Sequence, residues 1–364
     1  LSVNFNIENS GNLTGEYPLY FGEDLGIFDS FNVPYPEIQE KDKAQRSLFW
    51  TSDEIDFSQD YADMQTVSED EKEMMIRTLS FQMAADSIAS GSIQQLFLPI
   101  ASNPYLKGMV SYHGDSEYVH EDTYGRIIAQ CFDDPSLMIE RIKKDENVIR
   151  RLGKVLLAFK DHMKMVYNIE EYSLPEKREV CLNTLVCLLG LEGLMFQASF
   201  TGTFALCEST NKFNGIGKAV GLINNDEAIS HVDNIVTQLL IIKNKEKWSE
   251  WDDAKIKSTL DKFVEAECEW AETLFEGIQG VVGFNSELLK DYVYLLAKRI
   301  YDRLGIPFTF KIVTENPFPW LKNYISPDLI QVANQEAQNA NYIAKGFVND
   351  VPDDLEFDYE VDGI

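Results

Sequence analysis

The chain has 364 residues, 45% of them hydrophobic and 25% charged, which is enough apolar material for one large buried core or two ordinary ones. With 60 acidic against 32 basic residues its formal charge is -28, so its surface repels phosphates and anionic lipid; neither nucleic acid nor a membrane is an expected partner. Five cysteines without CxxC spacing (Cys131, Cys181, Cys187, Cys207 and Cys268) read as reduced thiols in a cytoplasmic protein.

In chain order, residues 1–30 are rich in Gly and Asn and read as an irregular or short-strand arm. They open on "LSVNFNIENS", which has neither a basic region nor an apolar core and so predicts no secretion signal. Helical signals dominate from Pro36, beginning in earnest at Ser68, a capping residue followed by acids in the first turn. Long helices are predicted at about 102–131, 145–167, 175–207, 215–243, 252–277 and 285–304. They are separated by breaks such as "DDPS", "KFNGIGK" and "GIPFTF". Residues 31–330 thus read as one mainly helical bundle, and 331–364 as a separate flexible tail. The tail is acidic yet carries Tyr342, Phe347, Leu355, Phe357 and Tyr359, a pattern expected to dock on a partner.

One stretch, Val180 to Cys207, is long and apolar enough to imitate a membrane span. Glu192 near its middle is costly in lipid, and the predicted reading is a helix apolar all round because it runs through the centre of a bundle.

The chemistry is carried by carboxylates and imidazoles at helical spacing. Within "SEYVHEDTYG", Glu117, His120 and Tyr124 share a helix face, because a helix returns to one side every three or four residues. In "NDEAISHVD", Glu227 and His231 do the same at a step of four. Asp86 and Glu192 each stand alone in apolar surroundings, where an unpaired carboxylate needs a cation, a proton or a hydrogen-bond network. Four helices thereby offer four carboxylates and two imidazoles, which is the inventory of a dinuclear carboxylate site in a ferritin-like bundle. Such hard oxygen ligands suit iron or manganese better than zinc. Tyr124, one turn beyond His120, would lie beside the metal pair as an oxidisable phenol, and Phe196 and Phe200 are candidates for an apolar wall protecting it.

At this point the residues resemble the small, radical-generating subunit of class I ribonucleotide reductase. The segment "SEYVHEDTYGRIIAQCFDDPS" is similar to the family's stretch of Glu and His ligands and radical tyrosine, "QRSLFWTSDEID" to the segment of the transfer tryptophan, and "NPFPWLKNYISPDLIQVANQEAQNANYIAKG" to the C-terminal passage. The resemblance runs from about residue 40 to the end. It implies an all-α, ferritin-like bundle with extra helices, forming a homodimer. By it Asp86, Glu117 and His120 would hold one metal and Glu192, Glu227 and His231 the other. It implies an iron pair, with manganese or mixed manganese–iron pairs as alternatives. Asp226 would link Trp50 to His120. Oxygen activation would oxidise Tyr124, and the radical would travel through Trp50 and Tyr342 to a large subunit that reduces ribonucleotides.

Two departures stand out. The family's Glu-x-x-His is here Glu227-x-x-x-His231, with one extra residue that a π-bulge can absorb. His113 stands where some bacterial members have a tryptophan, and two readings are open for it: a hydrogen-bond partner of Glu192, or a histidine that is exposed or satisfied on its own helix. The competing function is a ferritin-like oxidase or oxygenase with its own substrate, which shares the ligands but has no use for Tyr342 and an acidic tail.

Overall fold

Each long helix starts where the sequence supplies a cap. In a computed structural model describing residues 5–325, helices run α1 (Gly11–Thr14), α2 (Pro36–Arg46), α3 (Ser58–Met64), α4 (Glu69–Phe97) and α5 (Pro104–Cys131). They continue with α6 (Pro135–Lys144), α7 (Glu146–Tyr167), α8 (Leu174–Gly190), α9 (Gln197–Thr210), α10 (Asn214–Asn225), α11 (Val232–Ile241), α12 (Asp253–Leu274) and α13 (Ser286–Leu304). Ser68 caps α4 in a reciprocal box with Glu71, and Asn103 caps α5 by accepting from Tyr105 and Leu106 N–H, with Pro104 in the first turn. α13 stops at Gly305, whose φ of 66° closes the helix in the left-handed conformation.

No strand forms among the described residues; a lone bridge joins Tyr20 to Ala101. The segment before α2 is irregular apart from the single turn of α1, and it is pinned to the bundle by Leu19 N–H donating to Glu246 Oε1 at 2.7 Å. Helix α6 corrects the expectation of a plain break at "DDPS". There Asp134 accepts from Leu137 N–H, Pro135 opens the first turn, and Arg141, Lys143 and Lys144 meet the negative end of the helix dipole. The same residues that end α5 therefore begin a new helix.

The apolar stretch resolves as a core element. Helices α8 and α9 run as one unit, Leu174–Thr210, with 83% of its most apolar window buried inside the protein. Between them the backbone takes a π-helical turn at Leu191–Phe196, and a second such turn, Asp226–His231, joins α10 to α11. Cys131, Cys181, Cys187 and Cys207 are buried and all five thiols are free.

Candidate metal centre

Of the three π turns among the described residues, those at Leu191–Phe196 and Asp226–His231 face the middle of the bundle, opposite α4 and α5, while the third, Ile242–Glu246, follows the end of α11. An extra residue in a helix rotates the residues beyond it by about a quarter turn, so side chains that α-helical spacing would separate are brought onto one face. The turn at Leu191–Phe196 carries Glu192, and the one at Asp226–His231 carries Glu227 and His231. α4 contributes Asp86, and α5 contributes His113, Glu117, His120 and Tyr124. Asp86, Glu117, His120, Glu192 and Glu227 are 0% exposed and His231 is 1% exposed, so this is a cluster of ionisable groups cut off from water.

Their ligand atoms form two adjoining groups, each within 4.8 Å: Asp86, Glu117, His120 and Glu227 in one, His113, Glu117, Glu192 and His231 in the other. Glu227 faces both sides, with Oε1 3.1 Å from His120 Nδ1 and Oε2 2.8 Å from His231 Nδ1. Glu117 does likewise, with Oε2 3.8 Å from His120 Nδ1 and Oε1 3.4 Å from His231 Nδ1. The partition therefore differs from the one the resemblance implies, in that Glu227 falls with Asp86 and His120 while Glu117 falls in both groups.

Hydrogen bonds behind the cluster set the imidazole tautomers. Asp226 Oδ2 lies 3.0 Å from His120 Nε2 and accepts from Trp50 Nε1 at 2.7 Å; an ionised carboxylate only accepts, so Nε2 of His120 carries the proton and Nδ1 keeps its lone pair toward the cluster. Ser116 donates its hydroxyl hydrogen to the His113 carbonyl at 2.8 Å, leaving Oγ to accept from His231 Nε2 at 3.1 Å. His231 thus also turns Nδ1 inward, 2.8 Å from Glu227 Oε2, where a metal would take its lone pair. Ser116 was invisible to sequence reasoning, since a serine beside a ligand has no spacing of its own; only the approach of a distant helix gives it a role.

Both oxygens of Asp86, both of Glu192, Oε2 of Glu117, Oε1 of Glu227 and Nδ1 of His120 are buried and make no hydrogen bond. Orphaned buried acceptors at such density are strongly unfavourable, and a pair of cations among them is what satisfies them. Charge agrees, since four carboxylates balance two divalent ions. Without cations, burial and the neighbouring carboxylates push Asp86 and Glu192 well up. Burial alone would raise Glu117 too, but its contacts with His113 and His120 hold it down to about 2. The donor set of carboxylates with imidazole fits iron or manganese.

Tyr124 is 1% exposed with its hydroxyl unpaired, and burial, together with the charge of Asp86, pushes its phenol well up. Phe196 and Phe200 are buried and stack on each other at 5.4 Å, with Phe81 edge-on to Phe196 at 6.1 Å. Of the two readings of His113, the hydrogen bond to Glu192 does not form: its Nε2 hydrogen-bonds Glu117 Oε1 on its own helix at 3.0 Å and lies 3.9 Å from Glu192 Oε1, beyond hydrogen-bonding range. The reason is helical, because His113 and Glu117 are four apart on α5 and already share a face. Tyr342 lies outside the described residues.

Residues 27–317 match the family model described as ribonucleotide reductase, small chain. The chain is 28% identical to a ribonucleoside-diphosphate reductase subunit beta of Buchnera aphidicola, over 94% of this chain and 95% of the relative. It is 27% identical to a subunit beta of Salmonella typhimurium, over 93% and 94%. Among solved structures it is similar in fold to a ribonucleotide reductase R2 subunit from Clostridium botulinum, with a TM-score of 0.73 and 16% identity over 84% of this chain and 93% of that one. It is also similar to the dimanganese(II)-NrdF of Streptococcus sanguinis, with a TM-score of 0.66 and 17% identity over 82% and 99%. On this match, and with a buried carboxylate and imidazole cluster built for two metals, the chain belongs to the ribonucleotide reductase small-chain family, as a beta subunit of ribonucleoside-diphosphate reductase.

Proposed function

We propose that the chain generates and stores a radical on Tyr124 and passes it to a separate large subunit, where ribonucleotides become deoxyribonucleotides. The observation that carries this reading is the hydrogen-bonded series from Trp50 Nε1 through Asp226 Oδ2 to His120 Nε2, which joins the buried Trp50 indole to the metal cluster. When bound, the metal pair, expected to be iron with a manganese or mixed pair as alternatives, would activate dioxygen, which is the oxidant that takes the electron from Tyr124. Asp86, Glu117, His120, Glu192, Glu227 and His231 would hold the two ions.

The protein's own groups do the rest. Tyr124 keeps its proton in the resting state because burial disfavours phenolate, so losing an electron requires losing that proton as well. Enclosed at 1% exposure, the oxidised ring is kept from water and reductants, and Phe196 and Phe200 serve in its apolar surroundings. Asp226 holds the Trp50 indole proton, so electron and proton movement at Trp50 remain coupled. The cavity beside Trp50, Tyr112 and Asp226 has a volume of about 10 Å³, room for a water at most, which argues against a nucleotide or other organic substrate there. Tyr342 continues the route in the tail, the large subunit is the partner, and two copies of this chain form a homodimer. The beta-subunit names of the relatives support a large partner, since they imply an alpha counterpart.

Replacing Tyr124 with Phe tests the reading. The expected result is a variant that binds the same number of metals but gives no tyrosyl signal in electron paramagnetic resonance and no nucleotide reduction with the large subunit. A full tyrosyl signal in that variant would move the radical elsewhere.

A further inference from the structure

We propose that His113 is a seventh protein ligand of the metal pair, making one of the two positions a two-imidazole site and the other a one-imidazole site. This rests on the reading of the cluster as a dinuclear centre. His113 is 6% exposed, and its Nε2 lies with atoms of Glu117, Glu192 and His231 in one group spanning at most 4.8 Å.

The distances are those of ligands around a common ion. With metal–ligand bonds of about 2.1 Å, two donors sit about 3.0 Å apart at a right angle and about 4.2 Å apart when opposite. His113 Nε2 is 3.0 Å from Glu117 Oε1 and 3.9 Å from Glu192 Oε1, and His231 Nδ1 is 3.4 Å from Glu117 Oε1. All three values fall between those limits. At 3.9 Å, His113 is too far to hydrogen-bond Glu192, both of whose oxygens are buried without a partner. A cation between them satisfies both groups, whereas a hydrogen bond from His113 to Glu117 alone leaves Glu192 orphaned.

The π turn is what admits the second imidazole. It brings the His231 ring against His113, with centroids 3.7 Å apart and planes inclined by 27°, and His113 Nε2 and His231 Nδ1 both approach the same Glu117 oxygen, at 3.0 and 3.4 Å. The two positions then differ chemically. The group of Asp86, Glu117, His120 and Glu227 has three carboxylates and one imidazole, while that of His113, Glu117, Glu192 and His231 has two and two. Nitrogen donors favour the later first-row ions and carboxylates the harder ones, so the centre binds its two ions unequally.

Crystals of the full-length protein loaded with manganese(II) alone, located by anomalous scattering, test this directly. The expected result is an ion at bonding distance from His113 Nε2, about 2.1 Å as for other metal–imidazole bonds. Two bound ions with His113 Nε2 more than about 3 Å from either would overturn the proposal while leaving the dinuclear site intact; fewer than two ions would instead count against the site itself. In solution, His113→Gln keeps a donor for Glu117 but is a poor ligand, and manganese titration should show one site weakened by tenfold or more with the other unchanged. Unaltered binding at both sites in a folded His113→Gln variant would also sink the idea. Should that variant misfold, the crystallographic distance in the unsubstituted protein decides alone.

Discussion

Asp226 shows how much one side chain can carry. Its Oδ2 receives Trp50 Nε1 and faces His120 Nε2, so it fixes an indole and an imidazole tautomer with a single atom. Asn in its place would offer a neutral carbonyl oxygen instead of a carboxylate, so it would accept from Trp50 and His120 more weakly and hold the His120 proton on Nε2, and with it the inward Nδ1 lone pair, less firmly. Asp226→Asn is therefore expected to weaken metal binding by about 10- to 100-fold and to abolish reduction even when metal is supplied in excess. Metal titration together with an assay using the large subunit measures both. The candidate ligands were legible from the sequence because helix periodicity is local: Glu117 with His120 and Glu227 with His231 reveal their shared faces without any tertiary information. The step of four from His113 to Glu117 was legible too, but the stacking of His231 on His113 and the role of Ser116 were not, since a distant π turn brings them together.

At the scale of elements, the centre depends on two helices that leave α geometry at the ligands. The turn at Leu191–Phe196 is buttressed from outside by Arg151 of α7, which donates to the Met195 carbonyl at 2.8 Å and pairs with both oxygens of Glu267 on α12. The guanidinium lies between Phe81 and Trp270, 3.5 and 3.8 Å from their ring centroids. At the start of that turn, a methyl group on Gly190 would come within 2.6 Å of the Phe263 ring, so the close packing there depends on glycine. Also on α7, His162 is buried edge-on to Phe97, and burial lowers its pKa from 6.5 to about 4. The unfolded chain then binds more protons than the fold below pH 6.5. The neutral ring's contribution is full above that pH and is lost as pH falls toward 4, at a cost of up to about 3 kcal/mol. Urea unfolding from pH 7 down to 4 should show a shallower loss of stability in His162→Leu than in the unsubstituted protein. Equal slopes would mean that His162 titrates normally in the fold.

For the whole molecule, the distinction between a radical-generating subunit and a self-contained oxidase lies in the C-terminal segment, which is proposed to dock on the large subunit. Deleting residues 341–364 is expected to leave metal content and the Tyr124 signal unchanged while nucleotide reduction with the large subunit falls to background. Resonance spectra and a coupled assay on one preparation check both halves of that expectation. Undiminished reduction would show that radical transfer does not use Tyr342.

Sequence alone determined the helical class, the buried-core reading of Val180 to Cys207 and the ligand-bearing faces, because composition, capping and period are properties of short stretches of chain. It placed the break at "DDPS" correctly but missed the helix Pro135–Lys144 that follows, since a Pro after an Asp ends one helix and starts another with the same letters. Only the tertiary structure decided how the donors divide between two positions and that His113 stands against His231. Those facts depend on how four helices are rotated about their axes. That rotation is set by packing and by the two π turns, through contacts between residues more than a hundred positions apart in the chain.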